Sequence, residues 1–520
     1  MMLRIRESLR ENSHVAWLLF IACALSFGWF FYDGNVRVNL ADEGFLWYGS
    51  WALRAGQVPL RDFASYDPGR YLWSAAWSFV LGQGVVSLRE ACVIFQCFGV
   101  LAGLLVARRL SRNWVFLSFV ALLLCAWMHP RYKVFEQTIA LMFVYAGVLL
   151  LERPSLRRHF WVGIFGGCMA FFGRNHGAYF VLAFGLLIAI GAWGAGWRAW
   201  GQRSGVWFGG MWLGYLPQWL MFVFVTGYFR SFLESVAEIF AKGTNLATTV
   251  PWPWLVPATY SHWWRWSSIC EGCFYVMLPL FLGLALLRGW RLGRAGLAAN
   301  PVFVAAACVT LPYTHYVFSR ADVVHLSHGA PPLVLGLLAL AFTWPGRGAL
   351  AGIALAPFLA AASLFANVSQ FGATVRWMSP PGTLFPIEVA GERMTVTRVP
   401  AQILSSAYKL AHTLAKPDEP IFFAPHMPAL YPFTGRFSPT RQIYFTLPAT
   451  PEEDRALLAE IKAAGVQWVF LHDYPLDGRD DLRFCKIYPI LCDFFIQNFE
   501  PVPLSTLPEN TMILHRLPRS

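Results

Sequence analysis

Residues 39–71 read NLADEGFLWYGSWALRAGQVPLRDFASYDPGRY and follow the first strongly apolar segment of the chain. This stretch contains four carboxylates and three arginines, although only 13% of all residues are charged. The carboxylates are Asp42, Glu43, Asp62 and Asp67, and the arginines are Arg54, Arg61 and Arg70. Such a density of charge beside a membrane segment marks the stretch as the first candidate for a functional site.

The same stretch predicts two short helices. Asp42 is placed to cap a helix over residues 43–55, whose aromatic residues form one side. Asp67 followed by Pro68 repeats the start signal, and residues 71–81 are again aromatic and apolar. Helices this short and this aromatic are typical of the membrane surface. We therefore expect two interfacial helices joined by a polar loop.

The composition is that of an α-helical polytopic membrane protein. Among 520 residues, 57% are hydrophobic, 17% are aromatic and 24 are tryptophan, which is too apolar for an ordinary soluble enzyme. The formal net charge is +12, but the basic residues form short clusters between apolar segments, which is how membrane topology is encoded. We therefore expect no nucleic-acid partner.

Apolar segments predict about eleven transmembrane spans. Their approximate bounds are 14–32, 87–107, 113–129, 135–151, 160–174, 177–196, 205–227, 270–287, 301–318, 329–344 and 348–366. Arginine clusters fall in every second loop, which predicts a cytoplasmic N-terminus and an external C-terminus under the positive-inside rule. Residues 71–81 are too few to span a bilayer, so they belong to a first external loop over residues 33–86.

Beyond residue 371 the composition changes. We divide the chain into a membrane domain, 1–370, and a small external α/β domain, 371–520. In the second domain, strands are predicted at 421–424, 468–471 and 512–514, and a helix at 451–464. If this domain is exported, Cys485 and Cys492 either form a disulfide or remain free thiols. Cys270 and Cys273, in the sequence CEGC, open an apolar segment, where packing is favoured over metal binding.

The order of motifs around the first loop resembles that of one protein family. An apolar segment is followed by Asp-Glu, by a helix ending in AGQVP, by an Asp, and by Pro-Gly-x-Tyr. This order is similar to the first external loop of the type C glycosyltransferases, most clearly over residues 40–110. The group includes protein O-mannosyltransferases and lipid A aminoarabinose transferases. The resemblance implies a multi-spanning enzyme of the bacterial inner membrane whose donor is a polyprenyl phosphate sugar.

The resemblance also implies roles for individual residues. The first acidic residue of the family's loop lies in the active site, which makes Asp42 the candidate base, with Glu43 beside it. Transfer to an alcohol needs such a base and also cations for the departing phosphate, for which Arg89 and Arg320 are the candidates. The alternatives are a capping role for Asp42, a Glu43 that faces water or shares a metal, and pairing of Arg89 with Glu90 or a lipid headgroup.

Further polar residues at the outer ends of spans could line one external cavity. Together with polar residues of the first loop, the candidates are Asp62, Asp67, Arg131, Lys133, Arg174, His176, Asp322, His325 and His328. Asp62 and Asp67 also suit ordinary turn and cap positions. On a helix, Asp322, His325 and His328 share one face, which leaves a divalent metal as an alternative to simple packing. We assign no metal site and no certain cofactor.

The expected function is inverting transfer of a sugar from a polyprenyl phosphate to an envelope glycan, lipid or protein on the external face, with membrane lipid as the surrounding partner. The alternatives are a polymerase or ligase of lipid-linked glycans and a transporter of lipid-linked sugars. Transport would favour ionisable residues at mid-span, whereas these lie at outer ends. The tryptophan-rich residues 228–268 either cover the lipid-linked substrate or anchor the chain at the membrane surface.

Overall fold

The computed structural model describes residues 2–243, 246–504 and 507–517, with side chains from residue 12 onward. The three arginines before residue 12, which contribute to the predicted cytoplasmic N-terminus, lie outside the described side chains. The α-helices of the first 378 residues are α1 (Met2–Asp33), α2 (Asp42–Arg54), α3 (Pro68–Leu81), α4 (Val85–Leu110), α5 (Trp114–Trp127), α6 (Val134–Glu152), α7 (Leu156–Phe172), α8 (Arg174–Gly191), α9 (Trp197–Gly214), α10 (Leu216–Phe224), α11 (Tyr228–Lys242), α12 (His262–Ala299), α13 (Pro301–Ser319), α14 (Val323–Phe342), α15 (Gly348–Ala366) and α16 (Gly372–Met378).

Every predicted span coincides with at least one of these helices. In the part of the chain that the structure describes, eight helices are long and apolar enough to cross a membrane, and a ninth span is added if α10 and α11 count as one. The helical polytopic membrane fold is therefore confirmed, while the direction in which each span crosses stays a prediction.

The chain divides into two compact units. The membrane unit comprises Met1–Gly34, Cys92–Phe224 and Ala247–Thr374, and the loop unit comprises Asn35–Ala91, Val225–Leu246 and Val375–Ser520. The loop unit thus joins the first-loop residues to the C-terminal residues, which are far apart in the sequence. The predicted division at residue 371 was drawn from composition along the chain, and it stays a prediction.

Helices α7 and α9 of the membrane unit pack backbone against backbone. Gly163 and Gly167 of α7 lie against Gly210 and Gly214 of α9, and a Cβ added at Gly163 would lie 2.2 Å from the carbonyl oxygen of Trp207. Small residues four positions apart permit this close approach between helices in a bilayer. Side-chain size at these positions therefore controls how this pair of helices packs.

The C-terminal residues of the loop unit form a small α/β fold. Its elements are β1 (Leu384–Val389), β2 (Glu392–Thr397), α17 (Arg398–Lys409), β3 (Ile421–Ala424), α18 (Leu430–Thr434), α19 (Pro451–Ala463), β4 (Trp468–His472), α20 (Phe484–Ile487), α21 (Pro489–Asn498), β5 (Phe499–Pro501) and β6 (Thr511–Arg516). The sheet order is β3-β4-β6-β5, in which β3 and β4 are parallel and the other pairs antiparallel. The predicted α/β fold, its three strands and its helix at 451–464 are confirmed.

One hydrophobic core joins this sheet to α19, α20 and α21. It includes Phe422, Leu457 and Phe495, each at most 5% exposed. Cys485 and Cys492 form a disulfide at the edge of this core, with their Cα atoms 5.4 Å apart. Of the two alternatives drawn from the sequence, the structure therefore contains the disulfide.

The two short helices predicted in the first loop are α2 and α3. Helix α3 begins at Pro68, as the sequence signal predicts. The aromatic side of α2 is covered by protein, since Phe45, Trp47 and Tyr48 are at most 8% exposed. Tyr48 packs against Tyr431 with ring centroids 5.5 Å apart. The position of both helices relative to a membrane stays a prediction.

Candidate active site

The first turn of α2 holds two carboxylates in different settings. The helix begins at Asp42, and the side-chain oxygen of Asn39 accepts hydrogen bonds from the backbone N–H groups of Ala41 and Asp42, both at 3.0 Å. Glu43 accepts from the backbone N–H of Asn39 at 3.2 Å. The amide of Asn39 therefore organises the turn before the helix, and the capping role considered for Asp42 is wrong, because Asp42 is itself the first helical residue.

Glu43 forms a buried, two-pronged ion pair with Arg89 on α4. Arg89 Nε donates to Glu43 Oε1 at 2.6 Å, and Nη2 donates to Oε2 at 2.7 Å. The same guanidinium donates to the backbone carbonyls of Val36 and Arg37 at 3.3 and 2.9 Å. The two side chains are only 2% and 8% exposed. Arg89 therefore connects α2, α4 and the chain that enters the first loop, and its partner is Glu43 rather than Glu90.

A residue from the β1–β2 hairpin caps the helix that carries Arg89. Glu392 accepts from the backbone N–H groups of Val86 and Ser87 at 2.6 and 2.9 Å, and from the Ser87 hydroxyl at 2.5 Å. A carboxylate at a helix N-terminus satisfies donors that have no partner within the helix. Glu392 therefore fixes the start of α4 one turn before Arg89.

Asp42 meets a cluster of aromatic and histidine side chains from the C-terminal part of the loop unit. Tyr444 donates its hydroxyl to Asp42 Oδ1 at 3.3 Å. The Tyr444 ring lies 5.8 Å from that of Phe45 and 5.4 Å from that of His426. His426 Nδ1 lies 3.1 Å from the hydroxyl of Tyr474. The residues around Asp42 thus come from two distant parts of the sequence. One part follows the first membrane segment, and the other follows the last one.

Burial decides the charge state of this cluster. Because His426 is 3% exposed, burial lowers its pKa to about 4, and the ring is neutral near pH 7. Burial also raises the pKa of Tyr474 to about 12, with the charges of Asp477 and Asp42 acting in the same direction. Both groups therefore present neutral hydrogen-bonding atoms near Asp42 at physiological pH.

The other first-loop candidates are held by local contacts. Arg61 donates to the two oxygens of Asp62 at 2.7 and 2.9 Å, and Asp62 also accepts from the backbone N–H of Val58 at 2.7 Å. The hydrogen bonds from Arg61 hold the pKa of Asp62 below its usual value, against the effect of burial. Asp67 occupies the position before α3 and is 6% exposed, and Arg70 lies 4.4 Å above the ring of Tyr66.

The membrane unit contains a second polar cluster at the start of α14. Asp322 accepts from Arg320 Nε at 2.8 Å and from the backbone N–H of His325 at 2.9 Å, and it lies 2.8 Å from His325 Nδ1. Burial opposes ionisation of Asp322, but the hydrogen bonds and charge of His325 and Arg320 outweigh it and hold its pKa below the usual value. Tyr275 donates to the Asp322 carbonyl at 3.0 Å. The capping role of Asp322 is thus combined with an ion pair.

His328 lies beside this cluster and is 2% exposed. Its ring is 5.4 Å from that of His325 and 4.8 Å from that of Tyr316. Lys133 and Glu136, which are 8% and 3% exposed, are among the charged groups that act on the His328 ring. The structure therefore brings four of the predicted cavity residues of the membrane unit into one polar region, with Arg320 at its edge. These four are Lys133, Asp322, His325 and His328.

The remaining candidates of the membrane unit have separate partners. Arg131 is 9% exposed and forms an ion pair with the fully buried Asp33. His176 Nδ1 lies 2.9 Å from the hydroxyl of Tyr313 on α13. Arg174 is half-buried at the first position of α8. Arg131 therefore connects the segment before α6 to α1, and His176 connects α8 to α13.

Among residues 2–243, 246–504 and 507–517, no three His, Cys, Asp or Glu side chains are grouped so as to hold a metal ion. Cys270 and Cys273 are free thiols.

Three residues of the first-loop site were not found from the sequence: Tyr444, His426 and Glu392. Tyr444 lies 402 positions from Asp42, and no local pattern links them. His426 lies in the segment IFFAPHMPALYPFTGR, where a lone histidine has no distinguishing spacing. Side-chain polarity alternates over residues 384–397 in a way that fits a β-hairpin. This pattern is the sequence signal for the element that carries Glu392.

The chain is similar to known proteins in its fold and not in its sequence. No family model and no curated protein sequence matches the chain. A crystal structure of ArnT from Cupriavidus metallidurans in the apo state is similar, with a TM-score of 0.53 and 11% identity over 96% of this chain and 98% of that one. ArnT bound to undecaprenyl phosphate gives 0.46 and 13% over 97% of both chains. The chain shares the ArnT fold, which confirms the fold expected from the resemblance to type C glycosyltransferases.

Proposed function

We propose that the protein transfers a sugar from a polyprenyl phosphate to an acceptor of the cell envelope, with Asp42 as the base. The observation that carries this proposal is the difference between two adjacent carboxylates. Glu43 is buried and bonded to Arg89 at 2.6 Å, whereas Asp42 is half-buried at the first turn of α2. A half-buried carboxylate at a helix N-terminus can be reached by an acceptor alcohol and is placed to take its proton.

The donor class is supported by ArnT, which shares this fold and has been crystallised with undecaprenyl phosphate. A departing lipid phosphate requires cations to stabilise its charge. Arg320, whose side chain is 22% exposed, and the buried Lys133 are the candidates in the membrane unit. Arg89 remains a candidate, but a phosphate there would compete with Glu43 and with two backbone carbonyls.

The proposed reaction is a single displacement. The acceptor hydroxyl oxygen attacks the anomeric carbon as Asp42 removes its proton, and a new carbon–oxygen bond forms. The bond between that carbon and the phosphate oxygen breaks, and the electron pair leaves with the polyprenyl phosphate. Attack from the face opposite the phosphate inverts the anomeric carbon. The sugar is a hexose or a pentose, and the acceptor is a glycan, a lipid or a protein on the external face of the inner membrane.

Consumption of radiolabelled polyprenyl phosphate sugars by the purified protein tests this proposal. The wild type, Asp42→Asn and the control Asp418→Asn are compared with a panel of donors and an envelope extract as acceptor. Asp418 is exposed and lies in the same unit. We expect one donor to be consumed by the wild type and by the control, and about 10²–10⁴-fold more slowly by Asp42→Asn.

Other outcomes identify the alternatives. Full activity of Asp42→Asn would exclude Asp42 as the base. Consumption of lipid-linked oligosaccharides instead of single sugars would favour a polymerase or ligase. Movement of a fluorescent lipid-linked sugar across vesicles, without consumption of any donor, would favour transport.

A further inference from the structure

The segment from residue 425 to residue 445 is hydrogen-bonded to the first loop at more than one place. Ala429 N–H donates to the Leu40 carbonyl at 3.1 Å, and the Ala64 N–H donates to the Arg441 carbonyl at 2.8 Å. Arg441 Nη2 donates in turn to the Leu60 carbonyl at 2.8 Å. Leu40 precedes α2, and Leu60 and Ala64 lie in the loop after it, so the segment contacts the chain on both sides of the helix that begins at Asp42.

The contact at the start of α2 is between backbones. A Cβ added at Gly44 would lie 2.4 Å from the backbone nitrogen of Ala429, a separation that packed atoms do not adopt. Any larger residue at position 44 would therefore move the helix away from the segment. This close approach brings Tyr444 within hydrogen-bonding distance of Asp42.

The side chain of Tyr444 is contacted from several sides. It donates to Asp42 Oδ1 at 3.3 Å, and its ring lies 5.8 Å from Phe45 and edge-on to His426 at 5.4 Å. His426 is itself held, since its Nδ1 lies 3.1 Å from the hydroxyl of Tyr474. A side chain packed in this way can orient a carboxylate without reorganising when a substrate arrives.

We propose that Tyr444 is a positioning residue for Asp42, so that the C-terminal part of the chain completes the catalytic site. This inference rests on the proposed function, in which Asp42 is the base. The Tyr444 hydroxyl directs the carboxylate toward the acceptor oxygen and takes no part in binding the donor phosphate. Its loss is therefore expected to reduce kcat and to leave the KM for the lipid donor unchanged.

Tyr444→Phe tests this inference, with Tyr48→Phe as the matched control. Tyr48 lies in the same contact region, where its hydroxyl accepts from the Ser438 N–H at 3.3 Å and donates to Gln57 at 3.4 Å, away from Asp42. We expect Tyr444→Phe to lower kcat by about tenfold to a hundredfold with an unchanged KM for the donor. Tyr48→Phe is expected to keep kcat within about threefold of the wild type. Equal kcat in the two variants, or a change in KM alone, would overturn the inference.

A second measurement does not depend on activity. Thermal unfolding of the full-length protein is compared for the wild type, Asp42→Ala, Tyr444→Phe and the double variant. If the two side chains act on each other, the Tm shift of the double variant differs from the sum of the single shifts. Additive shifts would overturn the inference, even if the wild type is active. Coupled shifts in a protein that consumes no donor would uphold the Asp42–Tyr444 contact and count against the proposed function alone.

Discussion

Each of the two units contains a buried arginine–carboxylate pair and, at the start of a helix, a half-buried carboxylate. The buried pairs are Asp33–Arg131 in the membrane unit and Glu43–Arg89 in the loop unit. The half-buried carboxylates differ. Asp322 is bonded to Arg320 and His325, both within three residues, whereas the Tyr444 bond to Asp42 spans 402 residues. A carboxylate satisfied by its own turn needs no distant segment, whereas the setting of Asp42 depends on the assembled fold.

The buried pairs provide the largest expected effect on stability. Glu43→Ala leaves Arg89 charged and unpaired in the interior, which is expected to lower the free energy of unfolding by about 3–5 kcal/mol. Asp33→Ala is expected to have an effect of similar size through Arg131. Thermal unfolding in detergent measures both. If Glu43→Ala is as stable as the wild type, the Glu43–Arg89 pair has no structural role and the contrast with Asp42 fails.

A double substitution is the control for the Glu43–Arg89 pair. Replacing both charges, with Glu43→Leu and Arg89→Met together, removes the unpaired charge and is expected to recover a large part of the loss. A double variant that is less stable than Glu43→Ala alone would contradict this explanation.

Acid should weaken the loop unit through His426, which is in ring contact with Tyr444. The folded-state pKa is about 4, below the value of 6.5 for an ordinary histidine, so between these values the unfolded chain binds the proton and the folded chain does not. The free energy of unfolding should therefore fall by up to about 1.4 kcal/mol per pH unit as the pH drops from 6.5 towards 4. The slope of stability against pH, measured for the wild type and His426→Gln, tests this. Equal slopes would contradict the lowered pKa.

The cap on α4 provides the smallest expected effect. Glu392→Gln loses the charged cap on Val86 and Ser87, which is expected to lower the free energy of unfolding by about 1 kcal/mol. Glu388 is exposed on the same hairpin, so Glu388→Gln is the matched control and should change stability by less than about 0.5 kcal/mol. Hydrogen exchange at Ser87 locates the effect. Equal losses in the two variants would assign it to the hairpin in general.

Features that depend on local pattern could be predicted from the sequence. Hydrophobic periodicity gave the strand at 421–424 with its observed bounds, and Asp-Pro gave the start of α3 at Pro68. The position of Asp42 came from the resemblance of the first loop to a family. The Glu43–Arg89 pair could not be predicted, because it spans 46 residues and neither residue distinguishes this partner from Glu90 or a headgroup. Tyr444 and His426 were missed for the same reason, since a contact between distant segments leaves no periodic signal.

The central claim is that Asp42 and Glu43, although adjacent, have separate roles. The most direct measurement compares turnover and Tm for Asp42→Asn and Glu43→Gln in the same preparation. We expect Asp42→Asn to lose turnover by about 10²–10⁴-fold with a nearly unchanged Tm, because the amide keeps the shape of the side chain. We expect Glu43→Gln to lower the Tm through the weakened pair with Arg89, and to retain turnover at temperatures where it is folded. Loss of turnover in Glu43→Gln with wild-type Tm, together with an active Asp42→Asn, would contradict the account.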